Sequence, residues 1–169
     1  MIPTSGVMDL PPGIDVNPET LVGALGIAGL AAYFSFYGFV KEPRAGKTFW
    51  GIDVYYYCVG GEQLETTLTR MKDYGQIIAS GMISTYHQPW ALRTALHIVY
   101  KRLSVHGFIC SNPHLLQKYM PTLPMDMATW LVQGKVKTKE EVVKGIENAP
   151  EAMLKMWTGD KFGKLVIEV

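Results

Sequence analysis

Charge of one sign is what this chain has least of. Its 16 Lys and Arg stand against 15 Asp and Glu, and no long run of either sign occurs. A protein that holds nucleic acid by electrostatics needs a basic surface to displace counterions, so that class is set aside. Basic and aromatic residues do adjoin in Tyr100-Lys101-Arg102, but without the pattern of an RNA-binding module. Cysteine is nearly as scarce. Cys58 and Cys110 are too few for a disulfide framework or a four-cysteine zinc set. Both read as reduced thiols, and a cytoplasmic location is the expectation. His87, His97, His106 and His114 show no metal-ligand spacing. Cys110 and His114 are four apart, yet Pro113 between them spoils a helical pair, so no metal site is expected. The leading MIPTSGVMDLPPG lacks a basic stretch before an apolar core, so a signal peptide is not expected. A strand-to-helix phosphate loop is missing too. Gly23, Gly26 and Gly29 are evenly spaced, but they follow no strand.

What is present supports a core: 48% of the 169 residues are hydrophobic, enough for one ordinary domain. Residues 1–20 are rich in Pro, Gly and Asp and read as an irregular lead. Residues 21–40, LVGALGIAGLAAYFSFYGFV, carry no charge. One reading is a buried helix ending near Ser35–Gly38, its glycines allowing close packing on a sheet. The other is a membrane span, which the length permits, with Tyr33 and Tyr37 near one end and Lys41, Arg44 and Lys47 beyond it. Residues 41–50 read as a polar turn and the opening of a strand.

The centre of the chain is residues 51–86. Residues 52–57 are β-branched and aromatic and read as a strand running into Gly60-Gly61. Residues 62–74 place Leu64, Leu68 and Met71 at helical spacing, with Gly75 as terminator. Residues 76–80 read as a second strand. Strand, helix and strand in this length make a parallel βαβ unit. Ligands of such sheets sit beyond the carboxyl ends of the strands. Further on, 104–110 reads as a strand and 114–133 as a helix broken at Pro121 and Pro124. Thr138-Lys139-Glu140-Glu141 reads as a capping box opening a helix to about Ile146. A helix starting at Asn148-Ala149-Pro150 ends at Gly159, and 164–169 is a last strand. The fold class is α/β, a partial Rossmann-type parallel sheet with flanking helices over residues 21–169.

Four collinear stretches carry a resemblance: GALGIAGLAAYFSFYGFVKEPRAGKT, GIDVYYYCVGGEQLETTLTRMKDYGQIIASGMISTY, IVYKRLSVHGFI and WLVQGKVKTKEEVVKGIENAPEAMLKMWTGDKFGKLVIEV. Together they resemble the zinc-independent medium-chain reductases, in the group of leukotriene B4 12-hydroxydehydrogenase, prostaglandin reductase and the plant alkenal double-bond reductases. The resemblance implies reduction by NADPH of the carbon–carbon double bond of α,β-unsaturated aldehydes and ketones. Hydride goes to the β-carbon, the enolate oxygen needs a hydrogen-bond donor, and the α-carbon takes a proton.

By the same resemblance Ser80, Gly81, Met82, Ile83, Ser84, Thr85 and Tyr86 lie along NADP(H). Tyr86 is the one side chain there able to donate to a substrate carbonyl or enolate, and Ser84-Thr85-Tyr86 also reads as a plain polar loop. Phe108, Ile109 and Cys110 fall beside the nicotinamide, where they also read as a packed strand. Three departures accompany it. Cys58 stands where the family has an Asn amide near the cofactor. Lys161 stands where the family has Asn, and could pair with a cofactor phosphate or point to water. Between Trp50 and Gly51 the family's first βαβ, with its pyrophosphate turn, has no counterpart, and the N-terminal substrate domain is missing as well. Implied partners are a small enone or enal, and a second copy or a full-length relative in a dimer. A silent, truncated homologue is the alternative reading.

Overall fold

The computed structural model describes residues 17–40, 51–86 and 88–169; the readings made for 1–16, 41–50 and His87 lie outside them. The uncharged stretch is not one helix. Helix α1 (Pro18–Val22) stops at Gly23, and α2 (Ile27–Phe34) passes into a π-helical turn, Ser35–Phe39. Gly26 lies in the break. A Cβ there would sit 2.4 Å from the Val22 carbonyl oxygen, so the chain folds back on itself where only hydrogen fits. No helix among the described residues is long and apolar enough to cross a membrane, which removes the spanning helix from the second reading of this stretch.

The chain forms two compact units, residues 31–116 in one and the residues up to Leu30 with 117–169 in the other. The first holds a parallel sheet in the order β1-β2-β3, from β1 (Ile52–Tyr57), β2 (Met71–Ala79) and β3 (Ser104–Gly107). Helix α3 (Gly61–Arg70) crosses from β1 to β2. It buries Leu64 and Leu68 against Tyr57, Met71 and Ile77, and the short helix α4 (Leu96–Tyr100) adds Ile98 to this core.

Helix α3 ends four residues earlier than its apolar spacing implies. Met71 is already extended, at φ −62° and ψ 147°. The Lys101 ammonium donates to the carbonyls of Thr69 and Met71 at 2.7 Å and of Leu68 at 3.3 Å, supplying partners to a helix end that would otherwise lack them. The register then slips: Ile52 pairs with Met71, but Val54 pairs with Gln76. Residues 72–75 are accommodated as a bulge, with Tyr74 at φ 61°.

The second unit contains α6 (Leu123–Val132), α7 (Ala149–Thr158) and a two-stranded parallel sheet of β4 (Glu140–Lys144) and β5 (Lys164–Glu168). Between the units' sequences runs α5 (Pro113–Tyr119), so residues 114–133 hold two helices separated at residues 120–122. Helix α7 begins and ends as expected, with Gly159 left-handed at φ 79°. The helix expected from the capping box at Thr138 is a strand instead. Val142 and Val143 lose side-chain freedom in a helix. In register with Val166 and Ile167 they form a ladder that the local signal does not foresee.

Candidate functional site

Alternation along β1 sorts its tyrosines. Tyr55 and Tyr57 stack on each other, 5.5 Å between ring centroids, on the sheet face covered by α3. Tyr56 points to the opposite face. Its register partners are Ile78 on β2 and His106 on β3, so these share that face. Phe39 packs there against His106 and Phe108, at 5.7 and 5.2 Å between centroids.

The three strand ends converge through backbone hydrogen bonds. Ser80 N–H donates to the Tyr57 carbonyl at 2.9 Å, Ile83 N–H to Cys58 at 3.1 Å and Ser84 N–H to Val59 at 3.0 Å. Phe108 N–H donates to the Ala79 carbonyl at 3.1 Å, joining the third strand. A 3₁₀ turn, Ile83–Thr85, follows, closed by Tyr86 N–H to the Ile83 carbonyl. The packing leaves little room. A Cβ on Gly60, which stands at φ 75°, would lie 2.6 Å from Met82 Cγ, and one on Gly81 would lie 3.2 Å from the Cys58 carbonyl oxygen.

The structure thus brings together Cys58, Ser80, Gly81, Met82, Ile83, Ser84, Thr85 and Phe108. Tyr86 continues the same turn, but its side chain is 66% exposed and its hydroxyl has no hydrogen-bond partner among the described residues. Ile109 is exposed and Cys110 is half-buried. Burial pushes the Cys110 thiol above its ordinary pKa. Lys161 belongs to the other unit, where its ammonium donates to the Gly163 carbonyl at 3.0 Å.

Tyr56 is the residue that sequence reasoning missed. Its hydroxyl oxygen lies 2.9 Å from Ser80 Oγ, which also lies 3.2 Å from the Tyr57 carbonyl oxygen. Burial raises the phenol's pKa above 10.0, the Ser80 hydrogen bond opposes this, and charge on Cys58 or Cys110 would raise it further. Tyr56 therefore stays protonated at neutral pH. The alternation of IDVYYY was a readable signal; which face carried ligand chemistry was not.

This cluster suits the uncharged parts of a dinucleotide. Backbone approaches closely at Gly81, and Ser80, Ser84 and Thr85 supply small hydroxyls. A diphosphate is served less well. None of the strand-end residues named above is basic, and the first turn of α3 carries Glu62. No group of three or more His, Cys, Asp or Glu able to hold a metal occurs among the described residues. An open depression of about 510 Å³ lies beside α3 instead, lined by Tyr55, Glu62, Gln63, Thr66 and Thr67, and includes none of the strand-end residues.

Residues 39–167 match the zinc-binding dehydrogenase family. The NADP(+)-dependent 2-alkenal reductase of Nicotiana tabacum is 37% identical over 70% of this chain and 34% of its own length. Dehydrogenase FUB6 of Fusarium oxysporum f. sp. lycopersici is 25% identical over 222 residues, covering 92% of this chain and 62% of the relative. Since 92% of 169 residues is about 155, some 67 positions inside that match have no counterpart here. Among solved structures, CurA from Vibrio vulnificus in complex with NADPH superimposes with a TM-score of 0.61 at 28% identity, over 70% of this chain and 37% of that one. The chain spans about a third to three-fifths of the length of these relatives.

Proposed function

The chain belongs to the zinc-binding dehydrogenase family, and from that premise we propose that it is an NADPH-dependent reductase of the carbon–carbon double bond in α,β-unsaturated aldehydes and ketones. The likeness to an NADP(+)-dependent 2-alkenal reductase over 70% of the chain carries this reading. When bound, the cofactor supplies hydride to the β-carbon. Ser80, Ser84, Thr85 and the backbone at Gly81 and Met82 hold its sugar and nicotinamide portions, with Ile83, Ile109 and Phe108 as apolar lining. Tyr86 donates to the substrate oxygen, where negative charge develops as the double bond is reduced. Cys58 and Cys110 border the site, and Lys161 is available to a phosphate. The substrate is a small enone or enal, and the setting is the cytoplasm.

Titration of the purified chain with NADPH, followed by nucleotide fluorescence, tests this. Saturation in the micromolar range, about 8 kcal/mol of binding, supports the reading. An NADPH signal that never saturates, together with no NADPH oxidation by any enone, ends it.

One observation favours a second reading. Among the described residues strand β1 is an edge of its sheet, and a FUB6 relative carries, within the stretch it matches, some 67 positions without a counterpart in this chain. Parallel sheets are ordinarily enclosed, and an open edge offers unpaired N–H and C=O groups to another chain. On this reading the chain is catalytically silent and pairs, as a homodimer or with a full-length relative. Sedimentation as a monomer at all concentrations, with no reductase recovered on the tagged chain, would remove it.

A further inference from the structure

Tyr86 has a proposed role beyond the strand ends; Tyr56, near the end of β1, has the hydroxyl geometry of a second donor. Tyr86 is 66% exposed; Tyr56 is 40% exposed and held by its neighbours. The Ser80 hydroxyl has one proton and two acceptors within reach, the Tyr56 oxygen at 2.9 Å and the Tyr57 carbonyl at 3.2 Å. With that proton on the shorter contact, Ser80 donates to Tyr56, and the phenolic O–H is left to donate elsewhere. A phenol that accepts one hydrogen bond donates the next more strongly. The ring is fixed by its place on β1, with Ile78 beside it in register on the central strand. It lies on the same sheet face as Ser80, beyond the end of which ligands of parallel sheets bind.

We infer that the Tyr56–Ser80 hydroxyl pair is a hydrogen-bond donor to the carbonyl oxygen of an α,β-unsaturated ligand, with Tyr56 making the contact and Ser80 orienting it. The inference rests on the proposed reductase reading for its ligand class, but it is tested without turnover. Benzylideneacetone is an enone whose ultraviolet band moves to longer wavelength when its carbonyl accepts a hydrogen bond. It is titrated into the wild-type chain and into Tyr56→Phe, Ser80→Ala and Tyr86→Phe, alongside NADPH fluorescence titrations.

The expected result is a saturable red shift in the wild type. In Tyr56→Phe the shift shrinks and binding weakens severalfold, since the ring stays, one donor goes, and the second lone pair of the carbonyl oxygen is left to Tyr86. Ser80→Ala weakens binding less, and Tyr86→Phe removes its own share while the share that depends on Tyr56 remains. Equal shifts in wild type and Tyr56→Phe overturn the inference, as does the absence of any shift in the wild type. If the shift depends on Tyr56 while NADPH neither binds nor is oxidised, the carbonyl site stands and the reductase reading fails. If NADPH is oxidised equally by wild type and Tyr56→Phe, the reductase reading stands and the Tyr56 role fails.

Discussion

Cys58 and Cys110 have surroundings that differ enough to separate their chemistry. Cys58 is exposed at the end of β1, whereas Cys110 is half-buried and its thiol is pushed above the ordinary value by that burial. A raised thiol pKa means less thiolate at a given pH, and thiolate is the nucleophile. At pH 8, iodoacetamide is therefore expected to label Cys58 first, with Cys110 reacting several-fold more slowly. Raising the pH narrows the ratio as Cys110 ionises. Peptide mapping over time reads both sites, and faster labelling of Cys110 would show that the burial argument is wrong. The strand-end cluster was half legible from residue types alone. Gly60, Gly81, Ser80 and Ser84 stand at turns that sequence marks, and they do converge. Tyr56 went unnoticed because its role depends on Ser80, 24 positions away, which only strand pairing brings within 2.9 Å. Lys161 lies in the other unit, on the turn that leads into β5, where its ammonium donates to the Gly163 carbonyl.

Among the elements, local signals succeeded where local physics decides and failed where a distant partner does. Strand β1, the end of α7 at left-handed Gly159, and β5 follow from residue preference and turn chemistry. The capping-box signal at Thr138 was outweighed by pairing of Val142 with Val166, which no local pattern contains. The length of α3 was misjudged because Met71 continues its apolar spacing, and it is buried in the same core although it already belongs to β2. What fixes the boundary is Lys101, some 30 residues later. Its ammonium donates to three carbonyls at the end of α3, and its own carbonyl accepts from Tyr74 N–H at 2.7 Å. Replacing it with Met keeps the stem's packing and removes the donors. Lys101→Met is expected to lower unfolding stability by about 1–2 kcal/mol, since part-buried carbonyls lose a charged partner. Urea denaturation measures this, and an unchanged midpoint would show that water replaces the ammonium without cost.

For the whole molecule, the topology predicts an order of opening. Strand β2 is bonded on both sides, to β1 and to β3, and its Ile77 and Ile78 are fully buried, one on each face. Among the described residues, strands β1 and β3 are each bonded on one side only. Among the described residues the β4–β5 pair has no third strand, and two-stranded arrangements are marginal unless a helix covers them. Helix α7 packs on β5, but several of its apolar side chains remain exposed, among them Met153, Leu154 and Trp157. Amide exchange follows the free energy of local opening, which rises with buried contacts and with bonding on both sides. The amides of Ile77 and Ile78 are therefore expected to exchange slowest in the chain. Those of Val142, Val143, Val166 and Ile167 should exchange at least tenfold faster, and β1 should fall between. Mass-spectrometric exchange on the intact chain, followed by fragmentation, resolves these segments. If β1 proves as protected as β2, its outer edge is covered in solution, which is the outcome the pairing reading requires. If β4 and β5 match β2, α7 covers the pair well enough to protect it, and the expected order of opening is wrong.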